Sequence, residues 1–137
     1  MSLARSGLAL LLAASATLMV SSSRADVSEM PPAMQGVFRA RSGDARACLS
    51  VTPHVVVFES REPDGEGGER GCFARLEVRR VARGRIELRE GERAAVLQVT
   101  PSQLRFGDSR PLCAHAGAER FVFSRASRQP SGPCFVD

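Results

Sequence analysis

From Gly36 onward the chain is divided into short segments in which apolar and polar residues alternate or which, like Val55–Phe58, are apolar throughout. Turn-forming residues separate these segments roughly every 8–12 residues, a spacing typical of all-β sandwiches and barrels. Because the side chains of a strand point alternately to its two faces, such alternation is typical of strands with one buried face. No window shows the apolar spacing of an amphipathic helix. The pattern predicts an all-β fold, a small antiparallel β-barrel of about eight strands or, as the alternative, a two-sheet β-sandwich.

Turn residues and face assignments give the approximate strand positions. Pro53-His54, Arg83-Gly84 and Gly91 are predicted breaks between strands. In the segment that begins at Phe73, a bulge at Arg79-Arg80 would return the next apolar residue to the buried face. The predicted strand segments are Gly36–Ala40, Cys48–Thr52, Val55–Ser60, Phe73–Val81, the stretch containing Ile86 and Leu88, Ala95–Thr100, Leu104–Phe106 and the stretch containing Phe121 and Phe123.

The chain contains one internal similarity. Leu49–Pro53 and Leu97–Pro101 both follow the pattern Leu-x-Val-Thr-Pro, and Phe58 and Phe106 stand five residues after the two prolines. Each copy is typical of a strand, a turn begun by proline and a second strand. The similarity is either a coincidence, since Val-Thr-Pro is common between strands, or a structural pseudo-repeat, which would suit an up-and-down meander of similar hairpins.

The first residues indicate export. Arg5 is followed by an apolar stretch and then by the small residues Ser23 and Ala25, the pattern of a secretory signal peptide with cleavage before Asp26. The apolar stretch is shorter than the ~20 residues that a membrane span needs. We therefore expect a periplasmic or secreted monomer without a transmembrane segment after cleavage. The predicted organisation is a signal peptide (1–25), an extended N-terminal arm (26–34), a β-barrel domain (35–125) and a C-terminal tail tied by Cys134 (126–137).

Charge argues against a nucleic-acid partner. The formal net charge of the whole chain is +4, and the predicted signal peptide carries Arg5 and Arg24 but no acidic residue. The remaining arginines are interleaved with nearly as many carboxylates, and no stacking aromatic residues alternate with them. This composition is not that of a nucleic-acid surface.

Four cysteines follow the predicted cleavage site: Cys48, Cys72, Cys113 and Cys134. An even number of cysteines in a small exported chain predicts disulfide bonds, and none of the close Cys-x-x-Cys pairs of zinc sites is present. Three pairings are possible. We favour Cys48–Cys72 with Cys113–Cys134, because the two bonds then close loops of similar length.

Catalytic and metal-binding patterns are absent from the sequence. The chain has two histidines, His54 and His115, and no Gly-x-Ser-x-Gly or His-Glu-x-x-His motif. The acidic, glycine-rich segment Arg61–Gly71 lacks the ligand spacing of an EF-hand and is predicted to be a solvated, mobile loop. We therefore expect no enzymatic activity, no metal and no cofactor.

Several segments resemble the bacterial periplasmic metalloprotease inhibitors, which are small exported barrels similar to lipocalins. They are the Gly36-Val37-Phe38 start of the first strand, Cys48 and Cys72 at their spacing, and a closing strand at Glu119–Arg125. The resemblance implies a disulfide between the first two cysteines. It also implies that the mature N-terminal arm enters the protease cleft and brings its amino group to the catalytic zinc. The residues of that arm are Asp26, Val27, Ser28, Glu29 and Met30.

Three functions therefore stay open. The first is a protein-binding module, for example an inhibitor of a secreted protease. The second is a barrel that binds a small apolar ligand, and the third is an envelope-associated structural protein. For the second, the candidate ligand-lining residues are Phe58, Leu76, Leu97, Phe106 and Phe121.

Overall fold

The computed structural model of the chain describes residues 28–107, 112, 117–130 and 134–135. Eight antiparallel strands follow one another around a closed barrel, and the last strand pairs with the first. The predicted barrel is therefore confirmed, and its topology is an up-and-down meander. The strands are β1 (Gly36–Ser42), β2 (Ala45–Val51), β3 (Val55–Pro63), β4 (Glu69–Ala82), β5 (Arg85–Glu90), β6 (Arg93–Val99), β7 (Gln103–Phe106) and β8 (Val122–Ser127).

Two hairpins owe their tight turns to a glycine followed by an acidic residue. Gly43 and Gly91 have φ angles of 60° and 58°, and each is the first residue of a two-residue connection. This position of a type II′ turn requires a positive φ, which glycine adopts without a steric penalty. The turns fix the register, so that Ser42 faces Ala45 in one hairpin and Glu90 faces Arg93 in the other.

The barrel interior is filled by aromatic and aliphatic side chains. The Phe58 ring lies 5.6 Å from Phe106 and 6.3 Å from both Phe121 and Phe123, mostly in edge-to-face arrangements. Such ring pairs stabilise a core beyond the burial of their area. Smaller inward residues from the other strands surround them, among them Leu49, Leu76, Ile86, Leu88 and Leu97.

The predicted bulge in β4 is present. The pairing of β4 with β5 shifts between Val78 and Arg80, and Val81 packs against the core beyond the shift. An extra residue at this point is the usual way for a strand to change the face that its side chains occupy.

The internal similarity corresponds to two matching hairpins. In the first, Thr52 Oγ1 donates to the Val55 carbonyl at 2.9 Å and accepts from the Val55 N–H at 3.3 Å. Thr100 makes the same two bonds with Gln103, at 3.3 and 3.1 Å. Because the copies lie four strands apart in an eight-stranded barrel, they occupy opposite sides of it. Phe58 and Phe106 are equivalent residues of the two copies and meet in the centre.

Two segments differ from their predictions. The strands β3 and β4 extend into the predicted loop Arg61–Gly71, since Glu62 pairs with Arg70 and Pro63 with Glu69, and only five residues remain between them. In the predicted extended arm, Pro32–Met34 form a 3₁₀ turn. Proline suits the first turn of a helix, because its fixed φ is compatible and its missing N–H would have had no partner there.

The favoured disulfide pairing is wrong. Cys48 is bonded to Cys134, and Cys72 is disulfide-bonded to a residue outside the described part of the chain. Cys48 lies between the inward residues Ala47 and Leu49, so its side chain points outward, whereas Cys72 packs against the core. Side chains on opposite faces of one sheet cannot form a disulfide without a large movement of the backbone.

Candidate functional site at the arm end of the barrel

One end of the barrel carries the N-terminal segment, and we call it the arm end. The hairpin turns at residues 52–54, 83–84 and 100–102 lie at this end, and β1 begins here. The opposite end carries the loop between β3 and β4 and the segment that leads from β7 to β8.

Met30 anchors the N-terminal segment in the barrel. Its side chain is 1% exposed and belongs to the hydrophobic core, whereas Ser28 and Glu29 before it are exposed. The Met30 N–H donates to the carbonyl of Pro53 at 2.7 Å. Burial of a methionine side chain is worth about 1.5–3 kcal/mol, so this residue holds the chain at a fixed point of the rim.

Gln35 and Arg125 hold the segment behind this anchor. Gln35 Nε2 donates to the Met30 carbonyl at 3.1 Å, which closes the 3₁₀ turn against the anchor. Arg125 donates from Nη1 to the Gln35 carbonyl at 2.6 Å and from Nη2 to the carbonyl of Ala33. Its guanidinium also lies 4.8 Å from the centre of the Phe38 ring. The last strand is therefore bonded to the segment that precedes the first.

A cleft of about 170 Å³ opens beside the anchored segment. Met34 and Arg125 lie on one side of it and the β6–β7 turn on the other. The cleft is smaller than the roughly 300–1,000 Å³ typical of small-molecule sites, and its size suits one side chain of a partner protein. Its lining consists of Ala33, Met34, Phe38, Val99, Thr100, Pro101, Ser102, Gln103, Leu104 and Arg125.

The predicted arm residues fall into three groups. Asp26 and Val27 lie outside the described residues, as does the predicted signal peptide. Ser28 and Glu29 are exposed at the rim, and Met30 is part of the core. Of these five residues, Ser28 and Glu29 are therefore the ones that the structure shows to be exposed.

The predicted ligand-lining residues are brought together inside the barrel. Phe58, Leu76, Leu97, Phe106 and Phe121 are each 1% exposed or less and belong to one core cluster. They pack against one another and against Phe123, and none of them lines the arm-end cleft. Their part in binding a ligand stays a prediction.

The residues considered for catalysis or metal binding do not meet in the described part of the chain. His54 is exposed in the β2–β3 turn, where its carbonyl accepts from the Val78 N–H at 2.8 Å, and His115 lies outside the described residues. Among the described residues, no three His, Cys, Asp or Glu side chains are grouped so that they could hold a metal ion. The same residues include no helix with the length and hydrophobicity of a membrane span.

The loop between β3 and β4 is organised by its first residue. Asp64 Oδ1 accepts from the N–H groups of Glu66 and Gly68 at 2.7 and 2.9 Å. These two bonds lower the pKa of the Asp64 carboxyl, with a smaller contribution from the nearby Arg70 charge. The Asp64 carboxylate therefore stabilises the conformation of this acidic loop.

Sequence reasoning missed Gln35 and Arg125, because long polar side chains near a strand end are common and carry no motif. Comparison with protein-family models, with curated proteins and with solved structures finds no match to this chain.

Proposed function

We propose that the chain is an exported binding protein that inhibits a secreted zinc metalloprotease through its N-terminal end. The observation that carries the proposal is the burial of Met30 at the rim of the barrel. This burial fixes the point at which the residues before Met30 extend away from the barrel.

The length of the free end suits insertion into a cleft. After cleavage before Asp26, four residues precede Met30. At up to ~3.6 Å per extended residue they would reach about 14 Å from the rim. A short arm loses little conformational freedom when it binds, because few residues have to be ordered. The Arg125 bonds hold the chain behind the anchor.

The chemistry would involve the new amino terminus. A catalytic zinc keeps one coordination position for water or substrate. An α-amino group has an ordinary pKa of about 8, so an unprotonated fraction is present at neutral pH and can replace that water. The arm end of the barrel would then contact the surface of the protease around the active-site cleft of that enzyme. The resemblance to periplasmic metalloprotease inhibitors supports this assignment.

The test compares two forms of the mature protein against a panel of secreted zinc metalloproteases and serine proteases. The form that begins at Asp26 should inhibit a zinc enzyme. The same chain with one added N-terminal Met should inhibit it at least 100-fold more weakly, because the amino group no longer stands at the required distance. The added residue lies outside the barrel, so both forms should have the same melting temperature.

Arg93→Gln is the matched control, since Arg93 is exposed and lies at the opposite end of the barrel. It should inhibit like the unchanged protein. Equal inhibition by the extended form would refute the role of the amino group. Absence of inhibition across the whole panel would refute the proposed function.

A further inference from the structure

Three arginines form a row across the outside of the barrel. Arg41 of β1 pairs directly with Arg46 of β2, and Arg46 pairs directly with Arg61 of β3. All three side chains point outward, because the inward positions of these strands belong to the core. We call Arg41, Arg46 and Arg61 the arginine row.

Such a row is unfavourable in the absence of counter-charges, since like charges directly opposite each other destabilise a pair of strands. Two carboxylates offset part of this repulsion. Glu69 lies 3.3 Å from Arg46, and Glu59 lies 3.2 Å from Arg61. Arg41 is exposed and has no carboxylate within ion-pair distance among the described residues. The row thus keeps an excess of positive charge at its β1 end.

The C-terminal segment places one aromatic ring, that of Phe135, beside this excess charge. The disulfide between Cys48 and Cys134 ties the segment to the outside of β2. The ring of Phe135 then lies 4.6 Å from the Arg61 guanidinium carbon and 5.4 Å from that of Arg46. These contacts orient the two guanidinium groups as well as the ring.

A cleft of about 260 Å³, larger than the one at the arm end, is lined by the ring and by two members of the row. Its lining consists of Arg39, Arg41, Arg46, Phe135 and the two alanines Ala40 and Ala47, which pair with each other across β1 and β2. Its volume is close to the ~300 Å³ of the smaller ligand sites. It therefore combines several guanidinium groups with one apolar surface.

We propose that this cleft binds a phosphate monoester, with the phosphate on Arg41 and Arg46 and the organic group against Phe135. Guanidinium groups match the oxygens of a phosphate through paired N–H donors. The bond of Arg46 to Glu69 is an exposed ion pair, and because such pairs are weak it does not prevent Arg46 from donating to the ligand. The site lies on the outside of β1–β3 and is independent of the inhibitory arm.

The probe is phenyl phosphate, titrated by calorimetry into the mature protein at low salt. Saturable binding is expected, and inorganic phosphate should bind more weakly because it has no ring. Arg41→Gln should weaken binding about tenfold or more, the loss expected for one charge-assisted hydrogen bond. Arg93→Gln, an exposed arginine elsewhere on the barrel, should leave binding unchanged.

A second variant tests the contribution of the Phe135 ring to binding. Phe135→Leu keeps the disulfide and an apolar side chain but removes the ring. It should reduce the preference for phenyl phosphate over inorganic phosphate. Arg41→Gln also relieves the repulsion within the arginine row, so in phosphate-free buffer it should melt at the same temperature as the unchanged protein or higher. A loss of binding in this variant could then not be assigned to unfolding.

Vesicles of phosphatidylcholine with and without phosphatidic acid decide between the two sources of the phosphate. Arg41-dependent binding to the acidic vesicles indicates a lipid headgroup, and binding to phenyl phosphate alone indicates a soluble ester.

Equal effects of phosphate and of chloride at matched ionic strength would overturn the proposal, as would equal losses in Arg41→Gln and Arg93→Gln.

Discussion

Gly36 stands where the backbone of β1 comes closest to the end of β8. A Cβ atom added there would lie 2.2 Å from the carbonyl oxygen of Ser127 and 2.9 Å from Arg125 Nη1, and its φ is 137°. Side chains rarely adopt this φ, and the nearest contact is with backbone that cannot move aside cheaply. The glycine of the Gly-x-Phe motif is therefore required by the closure of the barrel beside the anchored arm.

We expect Gly36→Ala to lower the free energy of unfolding by about 2–3 kcal/mol, the size expected for a strained backbone position. Urea denaturation of the two proteins measures this difference. Gly43→Ala is the control, since a Cβ at Gly43 meets nothing within 4 Å and only the strain of its positive φ remains. A smaller loss for Gly36→Ala than for Gly43→Ala would show that the contact with Ser127 is unimportant.

Among the elements, the β3–β4 loop offers a test of pH dependence. The charged form of Asp64 is favoured in the folded protein, because two N–H groups donate to it and lower its pKa. The two hydrogen bonds that order the loop are therefore fully present above the ordinary pKa of an aspartate, about 4. They are lost as the pH falls through the lowered pKa of Asp64. Hydrogen exchange at the Glu66 and Gly68 amides should show reduced protection in that acid range.

Two substitutions separate charge from hydrogen bonding in this loop. Asp64→Ala should remove the protection of both amides at every pH. Asp64→Asn retains an acceptor oxygen without a charge and should keep partial protection that does not change with pH. Protection that is the same in the unchanged protein and in Asp64→Ala would contradict this role of the carboxylate.

Most elements could be predicted from the sequence, because alternation and turn residues are local signals. The inward faces of β4 and β6, the bulge after Val78 and the matching turns at Thr52 and Thr100 follow from such signals. The arginine row could not be found in this way, because the predicted first strand ended at Ala40 and the second began at Cys48. The two-residue turn at Gly43-Asp44 was the signal that would have extended both strands and fixed their register.

At the scale of the whole molecule, the cysteine pairing shows where local reasoning fails. Loop lengths favoured pairs of neighbouring cysteines, and the resemblance to the inhibitors implied the first of these pairs. The alternation of β2 already places Cys48 on the face opposite to Leu49, and that of β4 places Cys72 on the inward face with Ala74. The bond from Cys48 to Cys134 instead joins the outside of β2 to the C-terminal segment. It spans a sequence separation of 86 residues and thereby restrains nearly the whole barrel.

Loss of this bond should destabilise the protein more than loss of any single contact of the C-terminal segment. For a loop of 86 residues the chain-entropy model gives roughly 4–5 kcal/mol, whereas the contacts of the Phe135 ring with arginine are worth about 0.5–2 kcal/mol. The double variant Cys48→Ala/Cys134→Ala should therefore unfold at a clearly lower urea concentration than Phe135→Ala. Non-reducing peptide mapping of the unchanged protein should recover Cys48 linked to Cys134 and Cys72 linked to Cys113. A peptide joining Cys48 to Cys72 would contradict the assignment, and equal urea midpoints for the two variants would show that the bond adds nothing beyond the position of the ring.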